Sequence, residues 1–145
     1  MTGAVRGTNV TAFVDESPGS KGAMLGGCHI LVVEDEFLIA QELSALLKKH
    51  NATVIGPVVT LRDAVSLIDR TQRIDAAVLD INLHDGNVFP VAERLDDRGV
   101  PILFYSGYSP ATLTSRFASY PVLSKPAADL PETLVKLMLK LRSAD

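Results

Sequence analysis

The chain of 145 residues has no tryptophan, one cysteine and three histidines. A lone cysteine, Cys28, excludes an intramolecular disulfide and suits a reducing compartment, where it reads as a small strand-edge apolar residue. His29, His50 and His84 lack metal-ligand spacing and read as plain surface or strand residues. No apolar run is long enough to span a bilayer. The N-terminus lacks a basic segment followed by an apolar one, so it is not a secretory signal. The 14 basic residues are outnumbered by 17 acidic ones, scattered, and form no stripe. That argues against a nucleic-acid or membrane partner recognised through a basic face. A cytoplasmic protein is expected.

What is present is a core. Hydrophobic residues make up 47% of the chain, and the length suits one domain. Strand-like and helix-like runs alternate. Strands are expected at Ile30–Val33, Thr53–Ile55, Ala76–Asp80, Pro101–Tyr105 and Pro121–Ser124. Helices are expected over Glu36–His50, Leu61–Arg70 with Thr60 as N-cap, Val88–Arg98 ending before Gly99, Pro110–Phe117, and Leu130–Arg142 after Asp129. The segment His84–Asn87 reads as a loop. This alternation implies an α/β fold with a parallel sheet.

The chemistry lies at the strand ends. Ala76-Ala77-Val78-Leu79 delivers Asp80, and Ile30-Leu31-Val32-Val33 delivers Glu34 and Asp35. Ile102-Leu103-Phe104-Tyr105 delivers Ser106, and Val122-Leu123-Ser124 delivers Lys125. In open α/β sheets, ligands bind outside the carboxyl ends of the strands. Clustered carboxylates are costly without a cation, and Mg²⁺ takes one or two carboxylates plus waters and phosphate oxygens. Asp80 has the chemistry of a nucleophile toward phosphorus, Lys125 of a counter-charge and Ser106 of a donor to a phosphoryl oxygen. Each residue alone has a plainer reading: a helix N-terminus for the acids, a turn for Asp80 and for Ser106-Gly107, a solvated loop for Lys125. Their specificity lies in occurring together and in this order.

The set Leu31-Val32-Val33-Glu34-Asp35-Glu36, Leu79-Asp80, Ser106-Gly107 and Lys125-Pro126 resembles the receiver domain of bacterial two-component response regulators, over roughly residues 28–142. The resemblance implies a flavodoxin-like (βα)5 sandwich with a five-stranded parallel sheet in the order 2-1-3-4-5. It implies Asp80 as phospho-acceptor, Ser106 as switch hydroxyl and Lys125 as the family's lysine. Mg²⁺ would be held by Glu34, Asp35, Asp80 and the carbonyl of Asn82. The expected function is a single-domain response regulator, not an enzyme, phosphorylated by a histidine kinase or a histidine phosphotransfer protein. It would act on a downstream protein, relay phosphate or drain it. No output domain follows the last helix in these residues.

Departures from the family pattern sharpen the expectation. The first acid is Glu34, the loop after Asp80 is short and lacks proline, and Val122 stands where many receivers carry an aromatic switch. Phe104-Tyr105-Ser106-Gly107-Tyr108 resembles the Phe-Ala-Thr-Gly-Tyr-like segment of an atypical subfamily, often stand-alone receivers of alphaproteobacteria. The loop Gly107–Thr112 would then carry the change, with Tyr108 governing access of water and His84 close enough for a modest tuning role. The last helix is apolar beyond a core face, with Val135 and Leu139 besides Leu130, Leu134, Leu137, Met138 and Leu141. That flank suits a partner or a homodimer, or else a broad core contact.

Three other readings compete. A Mg²⁺-dependent aspartyl-phosphate phosphatase needs a second Asp two residues after the nucleophile, where Asn82 stands. A phosphorylation-independent binding scaffold would not need all these residue types. A flavodoxin-like cofactor binder needs a phosphate-cradling loop after the first strand, where Glu34-Asp35-Glu36 would repel a phosphate.

Residues 1–27 hold six of the ten glycines and show no apolar period, so they read as a flexible extension before a domain at 28–145. Met24 is the expected natural start. Mass spectrometry of the native N-terminus should find residues 1–23 absent; their presence would sink that expectation.

Overall fold

The computed structural model describes residues 24–107, 113–125 and 128–143. Its strands are β1 His29–Val33, β2 Thr53–Val58, β3 Ala76–Asp80, β4 Asn82–Leu83, β5 Gly86–Asn87, β6 Ile102–Ser106 and β7 Val122–Ser124. Its α-helices are α1 Phe37–Lys49, α2 Leu61–Asp69, α3 Phe89–Asp97 and α4 Leu130–Ser143, and a 3-10 turn covers Ser115–Phe117. Five strands form one sheet in the order β2-β1-β3-β6-β7, and all its pairs are parallel. Setting aside the short hairpin β4–β5, this is the expected order.

The central strands owe their composition to their position. Every residue of β3 and of β6 is buried, because helices cover both faces of the sheet and leave no polar side. Alternation divides the core in two. Leu31, Val33, Leu79 and Phe104 face α2 and α3, whose Ala64, Ile68, Val91 and Leu95 pack against them. Ile30, Val32, Val78, Leu103 and Tyr105 face α1 and α4 through Leu43, Leu47, Leu134 and Met138.

Several local expectations hold in detail. Thr60 caps α2 by accepting a hydrogen bond from the Asp63 N–H at 3.0 Å. α3 closes at Gly99, whose φ of 74° suits a residue without a side chain. Arg98 extends its guanidinium to the carbonyls of Ile68, Thr71 and Gln72 at 2.8, 2.9 and 2.8 Å. It thereby ties the end of α3 to the chain leaving α2.

Others differ. β2 runs three residues further than Ile55, across Gly56-Pro57, because the Glu34 N–H still finds the Val58 carbonyl at 3.0 Å. Pairing with β1 is irregular there. The segment His84–Asn87 is not a plain loop. Gly86 and Asn87 pair antiparallel with Leu83 and Asn82. Pro121 stands just before β7, its carbonyl accepting from the Phe104 N–H at 3.0 Å. Residues 24–27 form a turn that seats Leu25 in the core, with its N–H on the His50 carbonyl at 2.8 Å. Residues 1–23 and the expected helix start at Pro110 lie outside the described residues; Ser115–Phe117 is the described helical part of that segment.

An aromatic cluster fills the space beneath this turn. Phe117 lies 5.7 Å from Phe104, 6.0 Å from Phe89 and 5.0 Å from Tyr120, between ring centroids. Tyr120 closes the cluster by donating its hydroxyl hydrogen to Asp96 at the end of α3. Arg116 clamps Asp96 and Asp97 beside it, at 2.9 and 2.8 Å. Phe117 is fully buried, so Phe117→Ala should lower unfolding free energy by about 3–5 kcal/mol, measured by urea denaturation.

Candidate functional site

The parallel sheet brings the chemical residues to one edge. β1 ends at Val33 and presents Glu34 and Asp35, while its neighbour β3 ends at Asp80. β6 ends at Ser106 and β7 at Ser124, followed by Lys125, whose N–H donates to the Ser106 carbonyl at 2.8 Å. The tips of β6 and β7 are therefore tied together at the site.

The side chains converge. Lys125 Nζ lies 2.6 Å from Glu34 Oε1 and 3.2 Å from Asp80 Oδ2. Ligand atoms of Glu34, Asp35 and Asp80 lie within 4.8 Å of one another. The Asp80 Oδ1 accepts from the Asn82 N–H at 3.3 Å, and Glu34 Oε2 from the Glu36 N–H at 3.0 Å. Ser106 is buried at the same edge. These groups bound a cleft of about 510 Å³ whose lining includes Asp80, Asn82, Ser106, Gly107 and Lys125. Glu34 is fully buried and in contact with Lys125.

The electrostatics follow from burial and an imbalance of charge. Asp80 is pushed up to about 7 from an ordinary value of 3.8. Burial does most of this, the charge of Glu34 and a hydrogen bond to it add to it, and Lys125 offsets part. Burial alone would lower the Lys125 ammonium, but its hydrogen bond to Glu34 and the charges of Asp80 and Glu34 prevail and raise it. One ammonium thus serves two buried carboxylates, Glu34 and Asp80, with Asp35 close beside them. Glu34 Oε1 is buried, and its 2.6 Å contact with the Lys125 ammonium is a close ion pair.

Two residues of the cleft were read only in part or not at all. His84, read as a surface residue close enough for a modest tuning role, reaches Asp35 Oδ2 twice: its N–H at 2.7 Å and its Nδ1 at 3.0 Å. The hairpin β4–β5 turns it back toward the β1 end, and no spacing in the sequence announces this. Tyr105, passed over as part of an apolar strand, lines the cleft, and Lys125 Nζ lies 5.5 Å from its ring centroid. Strand alternation was the available signal, since it puts Tyr105 on the face opposite Phe104 and directly before Ser106. Val122 is 38% exposed. Tyr108 and Pro126 lie outside the described residues.

The model of the response regulator receiver domain matches residues 30–134 of this sequence. The chain belongs to that family. A curated relative, the phyllosphere-induced regulator PhyR of Methylorubrum extorquens, is 34% identical over 109 residues, covering 74% of this chain. The chain spans only 40% of that relative's length. The solution structure of SdrG from Sphingomonas melonis Fr1 is 39% identical with a TM-score of 0.66, over 79% of this chain and 96% of that one. SdrG in a BeF3-activated conformation, from Pseudomonas melonis Fr1, is 39% identical with a TM-score of 0.62, over 77% of this chain and 94% of that one. This receiver domain is therefore similar to response regulators of the PhyR and SdrG type.

The sign of one pH effect is fixed by Asp80. A carboxyl whose folded-state value is raised favours the fold while protonated. Its contribution is fully present below the unfolded value of 3.8 and is lost as pH rises through about 7. The metal-free protein should therefore lose stability between pH 4 and 7 through this group. Asp80→Asn should flatten that loss in urea denaturation series; an unchanged pH profile would contradict the assignment.

Proposed function

We propose that this receiver accepts a phosphoryl group on Asp80 from a histidine kinase or a histidine phosphotransfer protein, in a Mg²⁺-dependent reaction, and signals by altered binding to another protein. The observation that carries this reading is the Asp80 carboxyl at a strand end, on the floor of an open cleft, with Lys125 at 3.2 Å and two further acids beside it. The donor set suits Mg²⁺: ligand oxygens of three carboxylates lie within 4.8 Å of one another, and the Lys125 ammonium touches two of them. Glu34, Asp35, Asp80 and the carbonyl of Asn82 would hold the ion. When bound, Mg²⁺ neutralises these acids and draws in phosphoryl oxygens.

The remaining steps belong to the chain's own residues. A carboxylate oxygen of Asp80 attacks phosphorus as the bond from phosphorus to the donor breaks, and the donor leaves with the electron pair. Lys125 offsets charge on the transferred group, and the Ser106 hydroxyl donates to one of its oxygens. The new group carries close to two negative charges and three strong acceptors. Because the Lys125 N–H is bonded to the Ser106 carbonyl, a pull on either residue moves both strand tips. A coupling of about 1–3 kcal/mol would change partner affinity several-fold.

Several surfaces support protein partners. The phosphodonor must reach Asp80 through the mouth of the cleft, and at the start of α1 Phe37 and Leu38 are 69% and 71% exposed. On α4, Leu139 is 46% exposed while Leu134 and Met138 are buried, which suits a downstream partner or a second copy along that flank. No helix among the described residues is long and apolar enough to cross a membrane. We place the protein in the cytoplasm, where such donors act. That a structure of the similar SdrG is described as BeF3-activated supports a site of the same chemistry, since beryllofluoride mimics a phosphoryl group. Intact-mass measurement with acetyl phosphate should show one added phosphoryl group that requires Mg²⁺. It should be absent in Asp80→Asn and weakened or uncoupled in Lys125→Ala. No addition and no beryllofluoride binding would favour a phosphorylation-independent scaffold.

A further inference from the structure

Lys125 ends a flexible four-carbon stem, and a mobile ammonium is a poor guide for an incoming phosphoryl group. Glu34 Oε1 and Asp80 Oδ2 bound it on two sides, at 2.6 and 3.2 Å. The Tyr105 ring bounds a third, with its centroid 5.5 Å from Nζ. The ring is itself fixed. Tyr105 is 6% exposed and packs in the core between α1 and α4, next to Ser106 on the same strand. Across the cleft wall stand Ile39 and Glu42 of α1. A cation near an aromatic ring is attracted to the ring's negative face, more strongly when water is excluded, and Lys125 is only 9% exposed here. An aliphatic side chain would fill the same space without that attraction.

We propose that Tyr105 is a positioning residue for phosphoryl capture: its ring holds the Lys125 ammonium in place against Glu34 and Asp80, so that the charge faces the group arriving at Asp80. The proposal rests on the phospho-acceptor reading given above. It assigns the work to the ring face, so a phenylalanine serves as well as a tyrosine and a leucine does not. Mg²⁺ binding, which relies on the carboxylates, does not depend on the ring.

Three measurements test this. Beryllofluoride affinity in the presence of Mg²⁺ should stay within about twofold in Tyr105→Phe and weaken roughly three- to thirtyfold in Tyr105→Leu. The affinity for Mg²⁺ alone should be the same in all three proteins. In the wild-type protein, the Cε protons of Lys125, assigned by their loss in Lys125→Arg, should be shifted upfield by the ring; this needs no altered core. Wild-type beryllofluoride affinity in Tyr105→Leu, an equal loss of Mg²⁺ affinity, or an unshifted lysine signal would each overturn the proposal. If the wild-type protein binds no beryllofluoride, the phospho-acceptor reading falls, whereas the lysine signal still reports on the ring contact by itself.

Discussion

The site depends on one shared ammonium. Glu34 and Asp80 are both buried, and Lys125 is the cation that touches them. Two buried carboxylates side by side repel strongly, and removing the cation from such a group leaves charge without compensation. The arrangement is stable only because β1, β3 and β7 end together and deliver the three groups to one point. It is also incomplete, because a single positive charge does not balance Glu34, Asp35 and Asp80. Burial first, and the charge of Glu34 beside it, raise the proton affinity of Asp80.

The rest of the fold serves this edge. β3 and β6 are buried throughout, so their tips have little freedom of their own. Ser106 is the last residue of β6. Phe104, two residues back, touches Phe117 and Tyr120, and Tyr120 is bonded to Asp96 on α3. This packed aromatic column stands in the part of the molecule where Val122 offers no ring. It links the segment after β6 to the C-terminal end of α3 by direct contact, with Arg116 clamping the far end.

Much of this was legible from the sequence, for identifiable reasons. The strands announced themselves because burial on both faces demands continuous apolar runs, as in Ala76–Leu79. The caps were legible because Thr60 and Gly99 answer local needs of the backbone. Glu34, Asp35, Asp80, Ser106 and Lys125 each end or follow a strand, so a parallel sheet sufficed to gather them. What escaped depended on contacts between distant segments. The extension of β2 past Ile55 is fixed by the Glu34 N–H, which no pattern within β2 reveals. The hairpin after Asp80 is only two residues per strand, too short for any period. His84 meets Asp35 across 49 positions.

The outer strands of the sheet carry a consequence for the life of the protein in a crowded solution. An outer strand with free amides and carbonyls is a template on which other chains can build. Here β2 is interrupted by Gly56-Pro57 and loses its regular register with β1, and β7 is only three residues long. Proline offers no amide, and a short strand offers few places to anchor. The molecule can therefore display bare apolar residues such as Phe37 and Leu38 near its cleft without also inviting growth into fibres from its flanks. Encounters with partners are left to side chains, which can discriminate, and withheld from the backbone, which cannot.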